Sequence, residues 1–330
     1  MQASIPHLSA VSNKSFLVTG GAGFIGSHIT SYLLSHGAKE VRVLDNLSTG
    51  SKNNIKEFEG LSAFKFILGD ITNYDDCFNA CEGVDGIFHN AALGSVSRSL
   101  LDPMATNHAN VSGFLNVLFA AKNQQVKRVI YASSSSVYGD DKSTEKLEHI
   151  TGNLLSPYAV SKKTDELYAD VFSKSYGMEI IGLRYFNVFG PKQNPDGAYA
   201  AVIPIFISHL LNGDIPSIFG DGSTSRDFTF INNVVYANVL AFSTTKTDAV
   251  NQVYNVAFGA STSLNHLFEI IKTNTKSTVT PQYKAERKGD IKNSLADISK
   301  VRKLLDYTPL VSLEEGLNLT IEWYSKNLMK

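Results

Sequence analysis

The segment GGAGFIG, Gly20 to Gly26, constrains this chain more than any other. It follows an apolar run of strand type, SFLVT, and opens a segment of helical period, SHITSYLLSHG. A strand that turns at once into a helix needs a residue without Cβ at the tight turn. It needs a second where a phosphate approaches the backbone and a third where the helix packs close to the sheet. Gly20, Gly23 and Gly26 give GxxGxxG, and Gly21, Gly23 and Gly26 also satisfy GxGxxG. The helix N-terminus then faces a pyrophosphate, so the segment reads as a dinucleotide site. Asp45 closes the next strand, VRVLD, where a carboxylate accepts hydrogen bonds from an adenosine ribose and repels a 2′-phosphate. NAD is therefore expected rather than NADP. Gly69 and Asp70 end a third strand, and Asp70 either reaches adenine or serves only as a turn former or helix cap.

Strand-length runs and helical segments alternate through the first half. FLVT precedes a helix after Gly26, and VRVLD precedes a loop. FKFILGD precedes a helix over Asn73 to Ala80, and GIFHNAA a long helix from about Pro103 to Lys122. RVIYASSS precedes a helix from Pro157 to about Tyr176, and EIIGLRYFN follows. This rhythm predicts an α/β fold, a Rossmann-like doubly wound parallel sheet. Beyond Gly190, PKQNPDG and FGDGSTSRD are rich in turn residues, which predicts a smaller C-terminal α/β substrate domain. The expected division is an NAD-binding domain over residues 1–185, with 232–256 returning to it, and a substrate-binding domain over 186–231 and 257–330.

Among 330 residues, 30 basic side chains face 31 acidic ones, so the composition carries no signal for a nucleic acid or an anionic membrane. Cys77 and Cys81, with no His or further Cys nearby, make neither a metal site nor a disulfide framework and read as buried thiols in a reducing compartment. The N-terminal MQASIPHLSAVSNK lacks the basic and apolar regions of a secretory signal. The most apolar run, Ala198 to Leu211, is too short to span a bilayer and contains Pro204. A soluble, cytoplasmic protein is expected.

Tyr158 and Lys162, in SPYAVSKKTDELYADVF, lie one turn apart on a helix whose start is marked by Ser156 and Pro157. A free tyrosine ionises near pH 10, so serving as a base near neutrality costs about 4 kcal/mol. One cation ~4 Å away at an effective dielectric of about 20 supplies about 4 kcal/mol before desolvation. Such pairs also arise on solvated helix faces. What distinguishes this one is the glycine fingerprint ahead of it and the serine-rich strand end, ASSSSVYG, between them.

The pieces GGAGFIG, LDNLSTG, GDI, HNAA, SSSVYG, YAVSK, RYFNVFGP, GDGSTSRDF and RKGDI resemble the extended short-chain dehydrogenase/reductases that act on nucleotide sugars, over essentially the whole chain from Phe16. NAALGSVSRS, SSSSVYGD, NPDGAYAAVIP and RKGDIKNS are similar to the UDP-N-acetylglucosamine 4-epimerases among them. The resemblance implies tightly held NAD and a homodimer built on a four-helix interface. It implies Tyr158 as base, Lys162 as its electrostatic partner and a ribose ligand, and Ser134 as the group that hydrogen-bonds the reacting hydroxyl. For the cofactor it implies Gly20, Gly23, Phe24, Ile25, Gly26, Asp45, Asn46, Ser48, Thr49, Gly50, Asp70, Ile71, Ala91, Ala92 and Tyr185. Ser135 and Ser136 stand at substrate-site positions where related 4,6-dehydratases carry an Asp-Glu pair, which argues against dehydration. Ser133 is expected to pack or to bond to backbone.

For the substrate, a UDP-sugar, the resemblance implies Asn187 near the sugar and phosphates, and Arg226 and Arg287 on the diphosphate, where a planar, bidentate cation suits the anion. It implies Asp290 on the uridine ribose, and small residues Gly94, Ser95, Ala201, Val202 and Ser294 around the sugar. Ser294 matches the position whose size admits or bars a 2-acetamido group. Asn232 replaces a common Asp in FINNV. The expected activity is NAD-dependent interconversion of UDP-GlcNAc and UDP-GalNAc. Alternatives are a UDP-glucose, UDP-glucuronate or N-acetylhexosaminuronate epimerase, for which Arg98 is the candidate cation, and an NAD-sensing scaffold. The scaffold predicts loss of the Ser134, Tyr158 and Lys162 set, all of which are present.

Overall fold

Strands buried on both faces are continuous apolar runs, and the N-terminal half is built on them. The computed structural model describes residues 9–196, 200–286 and 292–327. After a 3-10 turn, Ser9–Val11, comes β1 (Ser15–Thr19), buried throughout. Helix α1 (Phe24–Ser35) begins two residues before Gly26, so that glycine lies within its first turn. Then follow β2 (Glu40–Asp45), β3 (Phe64–Leu68) and α2 (Tyr74–Ala80), whose cap Asn73 accepts from the Asp75 N–H. Next are β4 (Gly86–His89), α3 (Val96–Leu101), α4 (Pro103–Asn107) and α5 (Gly113–Asn123).

The single long helix expected from Pro103 to Lys122 is instead two helices joined by a π-helical turn, His108–Ser112. Asn110 in that turn is the physical reason. Its side chain donates to the Leu93 carbonyl and to Ser161 Oγ and accepts from the Leu93 N–H, so the turn aims one amide at the loop after β4.

β5 (Arg128–Ser134) runs into a 3-10 turn, Ser135–Tyr138, followed by β6 (Glu145–Lys146), α6 (Pro157–Tyr176) and β7 (Glu179–Tyr185). Ser156 caps α6 by accepting from the Ala159 N–H, and Pro157 occupies its first turn. The remainder comprises β8 (Val188–Phe189), α7 (Val202–Asn212), β9 (Ser217–Phe219), β10 (Ser225–Arg226), β11 (Thr229–Phe230), α8 (Ile231–Ser243) and β12 (Val253–Val256). It ends with β13 (Thr262–Ser263), α9 (Leu264–Thr275), β14 (Gln282–Lys284), β15 (Asn293–Ala296), α10 (Ser299–Leu305) and α11 (Leu313–Asn327).

Among the described residues one parallel sheet has the order β12-β7-β5-β4-β1-β2-β3. Successive side chains of β1 enter opposite layers: Phe16 and Val18 pack with α1 and α8, while Leu17 packs with α2 and α5. Strand order reverses at β1, so the crevice between the ends of β1 and β4 is a topological switch point, the place where such sheets bind ligands. A second sheet, β13-β10-β15-β6, lies in the C-terminal part, with β6 contributed from before α6.

Cys77 and Cys81 are buried and free. Burial pushes the Cys81 thiol up to about 12 and raises that of Cys77, so neither is a reactive thiolate. No helix of the described residues is long and apolar enough to cross a membrane.

Candidate active site

At the switch point the glycine turn leaves no space for side chains. Gly20 has φ +68°, and a Cβ there would meet the Ala91 nitrogen at 2.6 Å. A Cβ on Gly26 would strike the Gly20 carbonyl. Asp45 holds the turn from below: Oδ2 accepts from the Ala22 N–H at 2.9 Å and Oδ1 from the Leu47 N–H at 2.8 Å. Burial raises its carboxyl despite those two bonds. Asp70 experiences burial too, but bonds from Thr72 and Asn46 outweigh it and hold its carboxyl low.

A cavity of about 280 Å³ opens over these groups, lined by Gly20, Gly23, Asp45, Asn46, Ser48, Thr49, Asp70, Ile71, Ala91 and Ala92. Phe24 and Gly50 line the adjoining cavity, and Ile25 and Gly26 lie in the first turn of α1. Tyr185 lines neither; its hydroxyl exchanges hydrogen bonds with buried Asn238 on α8. Asn90, Leu93, Thr72, Ala105, His108 and Ala109 complete the first cavity and were not foreseen. Asn90 sits within HNAA beside Ala91, and that motif was the available signal; His108 and Ala109 come from the π turn, which carries none.

The residues fit NAD. The glycine cradle would be filled by any Cβ, the first N–H groups of α1 have no intrahelical partner while Gly23 and Phe24 line the cavities, and Asp45 retains lone pairs for a ribose diol. Asn90 Oδ1, at the cavity wall, is buried without a hydrogen-bond partner among the described residues.

Helix α6 packs on β5 and on the 3-10 turn that follows it. Lys162 Nζ reaches the Ala132 carbonyl at 3.0 Å, two residues before Ser134, and Asp165 Oδ2 at 3.1 Å. Tyr158, one turn earlier on α6, is half-buried. Ser134 Oγ accepts from the Ser136 N–H at 3.1 Å and so caps the turn, leaving its own proton to donate. Ser135 is half-buried, and Ser136 Oγ is enclosed without a partner among the described residues. Ser133 differs from expectation: it donates to a side chain, Glu166 Oε1, at 2.7 Å. The reason is a buried ion pair, Glu166 with Arg184, whose second lone-pair site Ser133 fills. Burial works against the Glu166 carboxylate, but Arg184 overcomes it and keeps the group below the ordinary range.

Several substrate-side residues divide between two cavities, while Ser294 and Ser134 to Ser136 line neither. Asn187, Ala201, Val202 and Arg226 line one of about 610 Å³, with His209, Phe219, Thr224 and Phe228, which sequence reasoning did not single out. Gly94, Ser95 and Arg98 line another of about 1060 Å³ that reaches the glycine turn. Ser95 stands at φ +96° and accepts from the Arg98 N–H, a strained backbone costing about 1–3 kcal/mol that sits at the mouth of the site. Asn187 donates to the Asp227 carbonyl at 2.9 Å. Parallel pairing sets Arg226 of β10 beside Ser294 of β15. Asp227, another residue missed, accepts from the N–H groups of Phe258, Gly259 and Ala296 and ties these strands together; burial pushes it up to about 7. Arg287 and Asp290 lie outside the described residues.

Residues 16–257 match the model of the NAD dependent epimerase/dehydratase family. The chain is 36% identical over 310 residues to UDP-glucose 4-epimerase of Mycolicibacterium smegmatis, covering 93% of this chain and 97% of that one. It is similar to the structure of UDP-N-acetylglucosamine 4-epimerase from Methanobrevibacter ruminantium M1 in complex with UDP-N-acetylmuramic acid. There the identity is 41%, the TM-score 0.90, and the coverage 96% of this chain and 99% of that one. UDP-glucuronic acid 4-epimerase from Bacillus cereus, solved with UDP-glucuronic acid and NAD, is 33% identical with a TM-score of 0.87, over 94% of this chain and 99% of that one.

Proposed function

The chain belongs to the NAD-dependent epimerase/dehydratase family, and from that premise we propose that it interconverts UDP-GlcNAc and UDP-GalNAc through a 4-keto sugar. The observation that carries the reading is the contact of Lys162 with the Ala132 carbonyl, which sets the Tyr158 helix against the strand that ends in Ser134. Tyr158 takes the proton of the sugar 4-hydroxyl and later returns it to the opposite epimer. Ser134, whose oxygen already accepts a backbone N–H, donates to the same sugar oxygen. Lys162 places a positive charge one helical turn from Tyr158. NAD, when bound, supplies reversible acceptance of the C4 hydride, held by the glycine turn, Asp45 and the cavity around Asn90. Arg226 holds the diphosphate, with Arg287 and Asp290 as the remaining diphosphate and uridine ligands. In this division residues 1–185 with 232–256 form the cofactor domain, and 186–231 with 257–330 the nucleotide-sugar domain.

Small residues at Gly94, Ser95, Ala201 and Ser294 favour a 2-acetamido sugar over a plain one, and the 41% identical relative is described as acting on UDP-N-acetylglucosamine. A uronate or plain hexose is the second reading, favoured by the names of the other two relatives and by Arg98 at the cavity of Gly94 and Ser95. Incubation with UDP-GlcNAc alone is expected to give UDP-GalNAc without added cofactor. Dependence on stoichiometric NAD(H) would contradict an epimerase. Ser294→Tyr is expected to lower kcat/KM for UDP-GlcNAc by about tenfold or more while sparing UDP-glucose, since a bulky side chain rejects by overlap. Equal losses on UDP-glucose, UDP-GlcNAc and UDP-GlcNAcA would remove Ser294 as the gate.

We also propose a homodimer through the outer face of α6. Val160, Leu167 and Val171 share one stripe of that helix, and Leu100, Leu101 and Met104 on the adjacent α3 and α4 are exposed beside it. An apolar patch of this kind suits a two-fold contact. Light scattering is expected to give twice the chain mass, and Leu167→Glu to give the monomer.

A further inference from the structure

The Lys162 ammonium is tied both to β5 and to its own helix. It is held between the Ala132 carbonyl and Asp165 Oδ2, and the lysine and aspartate side chains are only 3% and 1% exposed. This ion pair is therefore screened by neither water nor salt. The second carboxylate oxygen, Oδ1, is buried with no hydrogen-bond partner among the described residues. A dry carboxylate with one oxygen unsatisfied is costly, and an asparagine would hold the lysine through the same oxygen. What the acid adds is charge, one turn from the proposed base's partner.

We propose that Asp165 is a positioning residue for the proton transfer at Tyr158: it fixes the Lys162 ammonium against β5, and its charge offsets part of that cation's effect on the Tyr158 hydroxyl. The inference rests on Tyr158 and Lys162 acting as set out under Proposed function. The Asp165 charge therefore opposes, at Lys162, what the ammonium's charge does for the proton transfer, and a neutral residue there removes that opposition.

Burial raises the Asp165 carboxyl to about 6 even though Lys162 pulls it down. Other charged or titratable groups surround it. Glu166 on the same helix has its charge tied to Arg184 and to Lys163. Tyr131 of β5 is raised by its own burial, and His89 of β4 is lowered by burial to about 3 and stays neutral. The helices packed on α6 also carry Arg98, Asp102 and His108, but the contact from the π turn is the neutral Asn110–Ser161 bond.

The test is kcat of the holoenzyme at saturating UDP-sugar from pH 5 to 9, for the unaltered chain, Asp165→Asn and Tyr158→Phe. Asp165→Asn is expected to move the acid limb down by about one pH unit, so that on that limb it runs about tenfold faster relative to its own plateau. KM for the sugar stays within about twofold, since no substrate contact is lost. An unshifted limb in Asp165→Asn, or a uniform fall in rate at every pH, overturns the proposal. Should that variant not fold, Asp165→Ser, equally neutral and smaller, is read by the same criterion. Wild-type turnover by Tyr158→Phe would instead remove the catalytic reading beneath it.

Discussion

Tyr158→Phe is expected to lower kcat by roughly 10²- to 10⁴-fold, the usual worth of a positioned acid/base group. KM for the UDP-sugar is expected to change little, because the phenyl ring keeps the shape of the site and only the proton carrier is lost. The variant is expected to keep its NAD, since the glycine turn, Asp45 and the Asn90 wall are untouched. Its stability is expected to stay within about 0.5 kcal/mol, as the hydroxyl is half-exposed and bonded to none of the described residues. Steady-state epimerisation checks the rate and KM, NAD quantified after denaturation checks the cofactor, and urea unfolding checks the stability. A rate within tenfold of the native one would displace Tyr158 as the base, and loss of NAD would make the effect structural.

Removing the arginine of the buried pair gives the second large effect. Arg184 bonds both oxygens of Glu166 and the Glu148 carbonyl, and its guanidinium stacks 4.9 Å from the Tyr138 ring centroid. Arg184→Leu leaves the Glu166 carboxylate with Ser133 and with Lys163, whose partly exposed Nζ lies 3.1 Å from Oε2, and is expected to cost about 3 kcal/mol in urea unfolding. The double variant Arg184→Leu, Glu166→Leu is expected to recover at least half of that, since well-packed apolar side chains replace a buried pair at little cost. The pH dependence follows from the lowered Glu166 carboxyl. In the native chain its contribution is present above the ordinary glutamate range and is lost as pH falls through the depressed folded value. In Arg184→Leu, burial prevails and acidification protonates the acid left without its arginine, so the gap between the two proteins narrows toward low pH. A constant gap from pH 4 to 8 would exclude the lost ion pair as the cause.

The serines of ASSSSVYG show how far sequence reasoning reached. The family resemblance made Ser134 the candidate donor, and the structure sets its strand end against α6. Ser133 was misjudged because its partner, Glu166, and that acid's partner, Arg184, meet only when β5, α6 and β7 are side by side. The π turn was likewise hidden, since it answers to Leu93 and Ser161, residues far from Asn110 in the chain. The burial of Asp165 with Lys162 is not written in the residues beside it and shows only in the folded helix.

The sequence alone determined the alternation of strand and helix, the glycine turn, the carboxylate at the end of β2 and the one-turn spacing of Tyr158 and Lys162. Each is written in neighbouring residues, because hydrophobic period, missing Cβ atoms and helical pitch are local properties. The tertiary structure decided which charges face one another. The Ser133–Glu166–Arg184 cluster, the Lys162–Asp165 pair and the register of Arg226 with Ser294 each depend on burial and on strands paired across long stretches of chain. An ionic group's partner and its proton affinity are set by what excludes water around it, and that is fixed only when the layers close.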